Sequence, residues 1–423
     1  MTTLIVGGGV SGLAFAGFLH DQSECLLIEK DNELGGYCRT IYQDGFTWDY
    51  SGHFFHFRNK WIADRLHSTM DEADLVRVDR KARIFLEGRY IDYPFQYNIH
   101  QLSLSSFSLC LRDMYMASSN QQKDFSSFRD LVFGRYGKAM SELFFIPYNE
   151  KLYSLPCEQL HPEAMGRFLP HIEFAELLDR ITANQSTSSA PGYNAQFSYH
   201  RMGARAYVDA LASFVDASVL RTNTLCQRID LDNKRALVGD DWIKYERLII
   251  SAPLTHILDL ANVSYCRELL SANKVLVFNI GFDRPSYKPD HWVYYPQPQF
   301  SFFRIGHYDN ILGTDRMSLY VEVAFPQTAS VDAERMFEKV LTDLRLAGVV
   351  SDHQVVSWCS VMLDPAYIHI TPSGQVYTTN YISELERRDV YPIGRYGRWQ
   401  YCSIEDNILD AYRLAQSLGL GSD

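Results

Sequence analysis

The chain opens on an apolar run, Leu4-Ile5-Val6, which breaks into Gly7-Gly8-Gly9-Val10-Ser11-Gly12 and resumes with helical spacing from Leu13 to Leu19. A second apolar run, Cys25-Leu26-Leu27-Ile28, ends on Glu29. Strand, glycine turn, helix and acid-tipped strand predict a βαβ unit, with an extension to about residue 68 that carries Tyr50-Ser51-Gly52-His53-Phe54-Phe55-His56. From Val76 to Tyr93 the residues alternate as in strands, and Glu87-Gly88 supplies a hairpin turn between Ala82–Leu86 and Arg89–Ile91. From Leu102 to about Asp179 the spacing turns helical, as in Phe128, Leu131, Val132 and Tyr136, and Pro147, Pro156 and Pro162 punctuate it. Residues 183–193 are small, polar and turn-prone, the composition of a mobile loop.

Beyond that loop, Tyr207 to Phe214 reads as a helix, and Leu225–Leu231 and Ala236–Val238 as short strands. Leu248 to Pro253 predicts a core strand, and 274–325 several alternating ones, among them Val275–Ile280 and Ser318–Val323. The last segment, Tyr391 to Leu418, is a glycine-containing loop that enters a helix. The expected fold class is α/β, with three parts. A discontinuous Rossmann-type domain takes 1–68, 195–260 and 372–423; a helical insertion takes 101–194; an antiparallel sheet domain for the substrate takes 69–100 and 261–371. The active site is expected where the three meet.

A chain of 423 residues can bury a large core and form two or three domains. Its eight cysteines (25, 38, 110, 157, 226, 266, 359 and 402) form no CxxC pair, so neither zinc, another metal, nor a disulfide framework is expected, and a cytoplasmic setting is the simplest. No signal peptide is expected, because no basic segment precedes the first apolar run and no small-residue cleavage site follows it. No uninterrupted apolar run long enough for a membrane span occurs. A net charge of −11 argues against a nucleic-acid partner. It also requires that attraction for an anionic substrate be local. Tyrosine, at 27, outnumbers phenylalanine, at 25, and tyrosines lining a cleft stack and hydrogen-bond at once.

The glycine turn carries the first chemistry. Gly7 allows a tight turn, Gly9 lets a pyrophosphate approach the backbone, and Gly12 lets the helix pack closely on the strand. The helix N-terminus, with Ser11 in its first turn, then faces the phosphates. Glu29 stands seventeen residues beyond Gly12, near the offset of an acid that binds a ribose 2′-hydroxyl, which argues against NADP. Lys30 follows it, and then a second glycine pair, Gly35-Gly36. That pair resembles the FAD-binding proteins of the glutathione-reductase type and favours FAD over NAD.

Five further stretches bring a more specific resemblance: Tyr50 to His56; Tyr93-Pro94-Phe95-Gln96-Tyr97-Asn98; Tyr148-Asn149-Glu150-Lys151-Leu152-Tyr153; Phe303-Arg304-Ile305; and Gly394-Arg395-Tyr396-Gly397-Arg398-Trp399-Gln400-Tyr401. In this order, over nearly the whole chain, they resemble the UDP-galactopyranose mutases. The resemblance implies a flavin-dependent pyranose/furanose mutase of a nucleotide sugar, UDP-galactopyranose or a relative, in the making of cell-surface polysaccharide. It implies N5 of reduced FAD as nucleophile at the anomeric carbon, no net redox change, NAD(P)H as a candidate reductant, and a homodimer as a candidate assembly. It assigns Arg304, His56 and Tyr367 to catalysis, and Tyr148, Tyr153, Asn98, Phe95, Arg167 and His171 to the substrate. His53, Arg228, Gly394, Arg395, Ser403 and Ile404 join the glycines, Ser11, Glu29 and Lys30 at the cofactor.

Two positions depart from the family pattern. Tyr153 stands where tryptophan is usual, and His171, with Arg167 one turn earlier, stands where the first of two diphosphate-binding arginines is expected. Histidine lacks the bidentate fork of arginine. The alternative function is an FAD-dependent oxidoreductase of the amine-oxidase or protoporphyrinogen-oxidase type, with Trp399 and Tyr401 framing the substrate. Arg304 with the Tyr148/Tyr153 pair favours the mutase, because an amine substrate does not require them.

Overall fold

The computed structural model describes residues 2–119, 124–183 and 195–421, so all but the first residue of the expected 183–193 loop lies outside the described residues. The first strand, Thr3–Val6, is buried at every residue, as a strand covered on both faces must be. It lies in a five-stranded parallel sheet in the order Val390–Pro392, Arg247–Ile250, Thr3–Val6, Cys25–Ile28, Leu220–Arg221. The helix that follows, Val10–Gly17, starts at the glycine turn rather than at Leu13. It packs on Arg205–Ala212 and on the C-terminal helix Ile404–Ser417. Ser403 and Asp406 close the N-terminus of that last helix with a reciprocal capping box.

A second, seven-stranded sheet runs Val355–Leu363, Asn273–Phe282, Ser318–Pro326, Arg304–His307, Trp292–Tyr294, Ala82–Leu86, Arg89–Asp92. It is antiparallel except where Trp292–Tyr294 runs parallel to Ala82–Ile84. Glu87 and Gly88 make the expected hairpin turn with φ of 52° and 74°, the left-handed pair that such a two-residue turn requires. Leu75–Asp79 does not join this sheet, although its alternation matches; it pairs with Gln196–His200 in a separate ribbon. Alternation fixes which face a residue takes, but not which strand lies beside it.

The register of the large sheet aligns the cleft. Tyr294 lies opposite Arg304 and Arg304 opposite Glu322, while Trp292 lies opposite Gly306 and Gly306 opposite Tyr320. Directly opposed residues share a face, so these six side-chain positions form one patch. Leu276, Phe278, Ile280, Val321 and Val323 alternate to the other face, where Phe337, Val340 and Leu344 of the helix Ala333–Leu346 cover them. Four helices, Leu104–Ser118, Phe128–Met140, Ile146–Tyr153 and Phe174–Thr182, form the helical part. It shares one core with the cleft-facing side of the sheet.

Candidate active site

Two cavities meet at the centre. The first, of about 400 Å³, is lined by Gly7, Gly9, Ser11, Glu29, Lys30, Gly35 and Gly36. The two glycine runs are joined, since the Gly35 N–H donates to the Gly8 carbonyl at 2.8 Å. A Cβ on Gly9 would stand 3.9 Å from Gly36 Cα, so the space above the turn is open to a ligand. Gly12 lies beneath that space: a Cβ there would fall 2.0 Å from the Gly7 carbonyl oxygen. Gly394, with φ of 73°, abuts Ser11 in the same way, at 2.1 Å from its Oγ. Buried Glu29 accepts the Gly8 N–H at 2.8 Å on Oε2 and the Asp31 N–H at 3.0 Å on Oε1. Each oxygen keeps a lone pair for a further donor.

The second cavity, of about 280 Å³, shares His53, Arg395, Tyr396, Cys402 and Ile404 with the first. His56, Tyr148, Arg304, Tyr367 and Ser403 also line it. Arg304 lines the cavity and donates through Nε to Glu322 Oε2 and through Nη2 to Oε1 at 2.7 Å, leaving Nη1 unbonded to Glu322. Glu322 also accepts the hydroxyl of Ser51. Arg395 is different. Its Nε is buried without a hydrogen-bond partner, and among the described residues no carboxylate pairs with it. Its guanidinium lies 5.3 Å from the ring centre of Tyr367 and 4.7 Å from that of Tyr401.

Charge in the cavity follows from burial. Desolvation lowers the His53 imidazole to about 3, and Arg395 and Arg304 add repulsion. His56 is lowered to about 4 by burial, although its Nδ1 lies 3.2 Å from the Gln196 carbonyl. Both are neutral at pH 7. The Nδ1 of His53 has no hydrogen-bond partner among the described residues. Burial also holds the hydroxyls of Tyr148, Tyr320 and Tyr367 protonated, and these bond to no other described residue. The cleft therefore presents Arg304 paired with Glu322, Arg395 without a counter-ion among the described residues, a third arginine, Arg80, neutral imidazoles and phenolic donors.

Eight expected site residues do not line either cavity: Gly12 and Gly394, which lie beneath or beside the glycine turn, and six others. Phe95 packs against Phe144 at 5.0 Å, and the turn Phe95–Tyr97 presents Gln96 to the cleft instead. Asn98 is fully buried, with Nδ2 donating to the Pro94 carbonyl at 2.9 Å. Tyr153 lies behind the wall, its hydroxyl on the Met165 sulfur at 3.3 Å and its ring 5.7 Å from Tyr367. Five residues along a helix is a rotation of about 140°, so Tyr148 and Tyr153 could not both face one cleft. Arg167 pairs with Asp406 and Ser403, and His171 with Glu173 at 2.8 Å, both at the rim. Between them, Phe168, Leu169 and Pro170 are the residues that line the cavity. Arg228 is exposed. A shift of register between Cys226 and Arg228 breaks the alternation that would have put both on one face, and Cys226 alone reaches the cavity. Trp399 likewise lies in the core rather than in the cleft, with φ of 50°. Tyr401 has Phe168 edge-on at 4.9 Å and Tyr367 near-parallel at 6.1 Å.

Sequence reasoning missed Glu322, Ser51, Tyr320 and Gly306. An acid within the apolar strand Ser318–Val323 was the available signal for Glu322, since a buried carboxylate needs a partner. Gly306 carried none. A Cβ there would fall 1.8 Å from the Tyr320 ring, a conflict visible only once the two strands are paired.

Residues 5–72 match the family of NAD(P)-binding Rossmann-like domains. Over its whole length the chain is similar to the crystal structure of reduced UDP-galactopyranose mutase, with a TM-score of 0.92, 21% identity and 94% of that chain covered. The two share a fold. An Exiguobacterium sp. 255-15 protein with a provisional protoporphyrinogen oxidase assignment is similar at a TM-score of 0.79 and 17% identity, over 99% of this chain and 98% of its own. Cyclohexylamine oxidase from Brevibacterium oxydans IH-35A is similar at 0.67 and 11%, over 99% of each chain. The fold is thus shared by proteins whose names give different activities, and the site has to decide between them.

Proposed function

We propose that the protein is an FAD-dependent pyranose/furanose mutase of a nucleotide sugar, UDP-galactopyranose or a close relative. The observation that carries this reading is Arg395, a buried guanidinium without a carboxylate at the junction of the two cavities. A buried cation of that kind favours an anion beside it. It disfavours an amine: the near-parallel rings of Tyr367 and Tyr401, which could otherwise frame one, already have Arg395 against both.

The residues present fit FAD. Gly7 to Gly12 and the N-terminus of the helix Val10–Gly17 would take the pyrophosphate, and Glu29 a ribose. The unpartnered Nδ1 of His53 and Nε of Arg395 lie where the two cavities meet and would take the polar edge of the flavin. Bound and reduced, the flavin would supply the nucleophile at the anomeric carbon. The protein supplies the rest. Breaking the anomeric C–O bond leaves negative charge on the diphosphate; Arg395 and the free Nη1 of Arg304 would stabilise it, with the hydroxyls of Tyr148 and Tyr367 as neutral donors. His53 and His56, held neutral, add no competing positive charge near the electron-poor sugar carbon. Arg167 and His171, engaged at the rim by Asp406 and Glu173, would reach a substrate only by leaving those partners.

The test is incubation of the FAD-loaded protein with UDP-galactopyranose, with and without dithionite, and chromatography of the sugar. Furanose formed only after reduction is the expected result. Hydrogen peroxide released with an amine, and no isomerisation, overturns the proposal in favour of an oxidase.

A further inference from the structure

Ser51 is buried and lines the substrate cavity but not the cofactor cavity. Its hydroxyl donates to Glu322 Oε1, the same oxygen that receives Arg304 Nη2 at 2.7 Å. Its carbonyl accepts the His53 N–H at 2.7 Å and the Tyr308 hydroxyl at 3.3 Å. The chain two residues earlier is pinned too, since the Asp49 carbonyl accepts Asn279 Nδ2 at 3.0 Å. Glu322 and Arg304 belong to neighbouring strands of the large sheet, whereas Ser51 belongs to the segment that leads to His53. One hydroxyl therefore joins the carboxylate that orients the arginine to the loop that carries the histidine.

We infer that Ser51 is a positioning residue for anion binding: by fixing Glu322 Oε1 it sets the attitude of Arg304, and it ties that attitude to the His53 loop. This role rests on the nucleotide-sugar reading. Glu322 has three donors on two oxygens, two from Arg304 and one from Ser51. Without the third, the carboxylate turns about its own axis and the arginine fork, bonded at both oxygens, turns with it. Nη1, the one nitrogen that Glu322 leaves unbonded, then moves away from the anion.

The experiment is calorimetric titration of the FAD-loaded protein with UDP and with inorganic pyrophosphate. Ser51→Ala is expected to weaken both by roughly 3- to 10-fold, the range for one hydrogen bond of ordinary net strength acting through a neighbour, while FAD stays bound. Ser51→Thr, which keeps the hydroxyl, restores the affinity. In an Arg304→Lys background, where a cation still faces Glu322 but the fork is gone, Ser51→Ala is expected to change nothing further. A purely structural serine would weaken binding equally in both backgrounds, and that result, or an unchanged affinity in Ser51→Ala, overturns the role. A wild-type protein that takes up neither probe overturns the nucleotide-sugar reading, and this role with it.

Discussion

The two cavities are built in opposite ways. Around the glycine turn, the core of the cavity stands close in sequence: Gly7, Gly9, Glu29 and Gly36 fall within thirty positions and a single βαβ unit brings them together, with Cys226, Ser251 and Arg395 joining from elsewhere at its edges. In the second cavity, Ser51, Tyr148, Arg304, Glu322, Tyr367 and Arg395 come from six separate stretches of chain. The first is fixed by backbone conformation, the second by strand register and side-chain charge. A backbone site should fail through added atoms, and a side-chain site through lost charge.

The largest effect is expected at the first cavity. Gly12→Val puts a side chain where even a Cβ meets the Gly7 carbonyl at 2.0 Å, costing about 3 kcal/mol or more. Purification should yield protein without the flavin absorbance of the wild type. In the second cavity Arg304 and Arg395 should separate. Arg304→Ala leaves Glu322 buried without its cation, a loss on the order of 3–5 kcal/mol, and should lower the urea midpoint as well as turnover. Arg395→Met leaves no carboxylate unpaired and keeps the aliphatic stem among Tyr367, Tyr396 and Tyr401. Its stability should change by about 1 kcal/mol or less, while kcat/KM falls roughly 100-fold or more. Equal losses of stability in the two variants would break the distinction between a paired and an unpaired arginine.

A pH series sharpens the same contrast. His53 takes up a proton near 6.5 when unfolded but only near 3 in the fold. Its contribution to stability is therefore fully present above pH 6.5 and is lost as pH falls towards 3, because the unfolded state then binds the additional proton. Between pH 6.5 and 5 it amounts to roughly 1–2 kcal/mol. His53→Asn should flatten the fall in unfolding midpoint over that range; an undiminished slope would mean that the imidazole is not desolvated. The smallest effect is expected at Arg228. Because it is exposed, Arg228→Ala should leave FAD affinity and stability within about 0.5 kcal/mol of wild type. A clear loss of FAD would return this residue to the cofactor site.

How far the sequence could be read differs between the cavities for the same reason. Gly7 to Gly12, Glu29 and Gly35-Gly36 are legible because each acts on neighbours a few residues away, through turn geometry and a helix N-terminus. The hairpin at Glu87-Gly88 is legible on the same ground. Tyr148 and Arg304 were reached by resemblance, and both line the cavity. Tyr153 and Arg228, reached by the same route, do not, since a helical rotation and a register shift turned them elsewhere. No local pattern encodes either.

By itself, then, the sequence determined the glycine turn, the strand and helix periods, and the residue types available for an anion site. Tertiary structure alone decided which of two arginines would be neutralised. Arg304 faces Glu322 because two antiparallel strands are in one register rather than the next. Arg395 has no such partner because its segment packs among tyrosines. Whether a charge is spent depends on what lies within a few ångströms of it, and for residues far apart in the chain only the packed fold sets that distance.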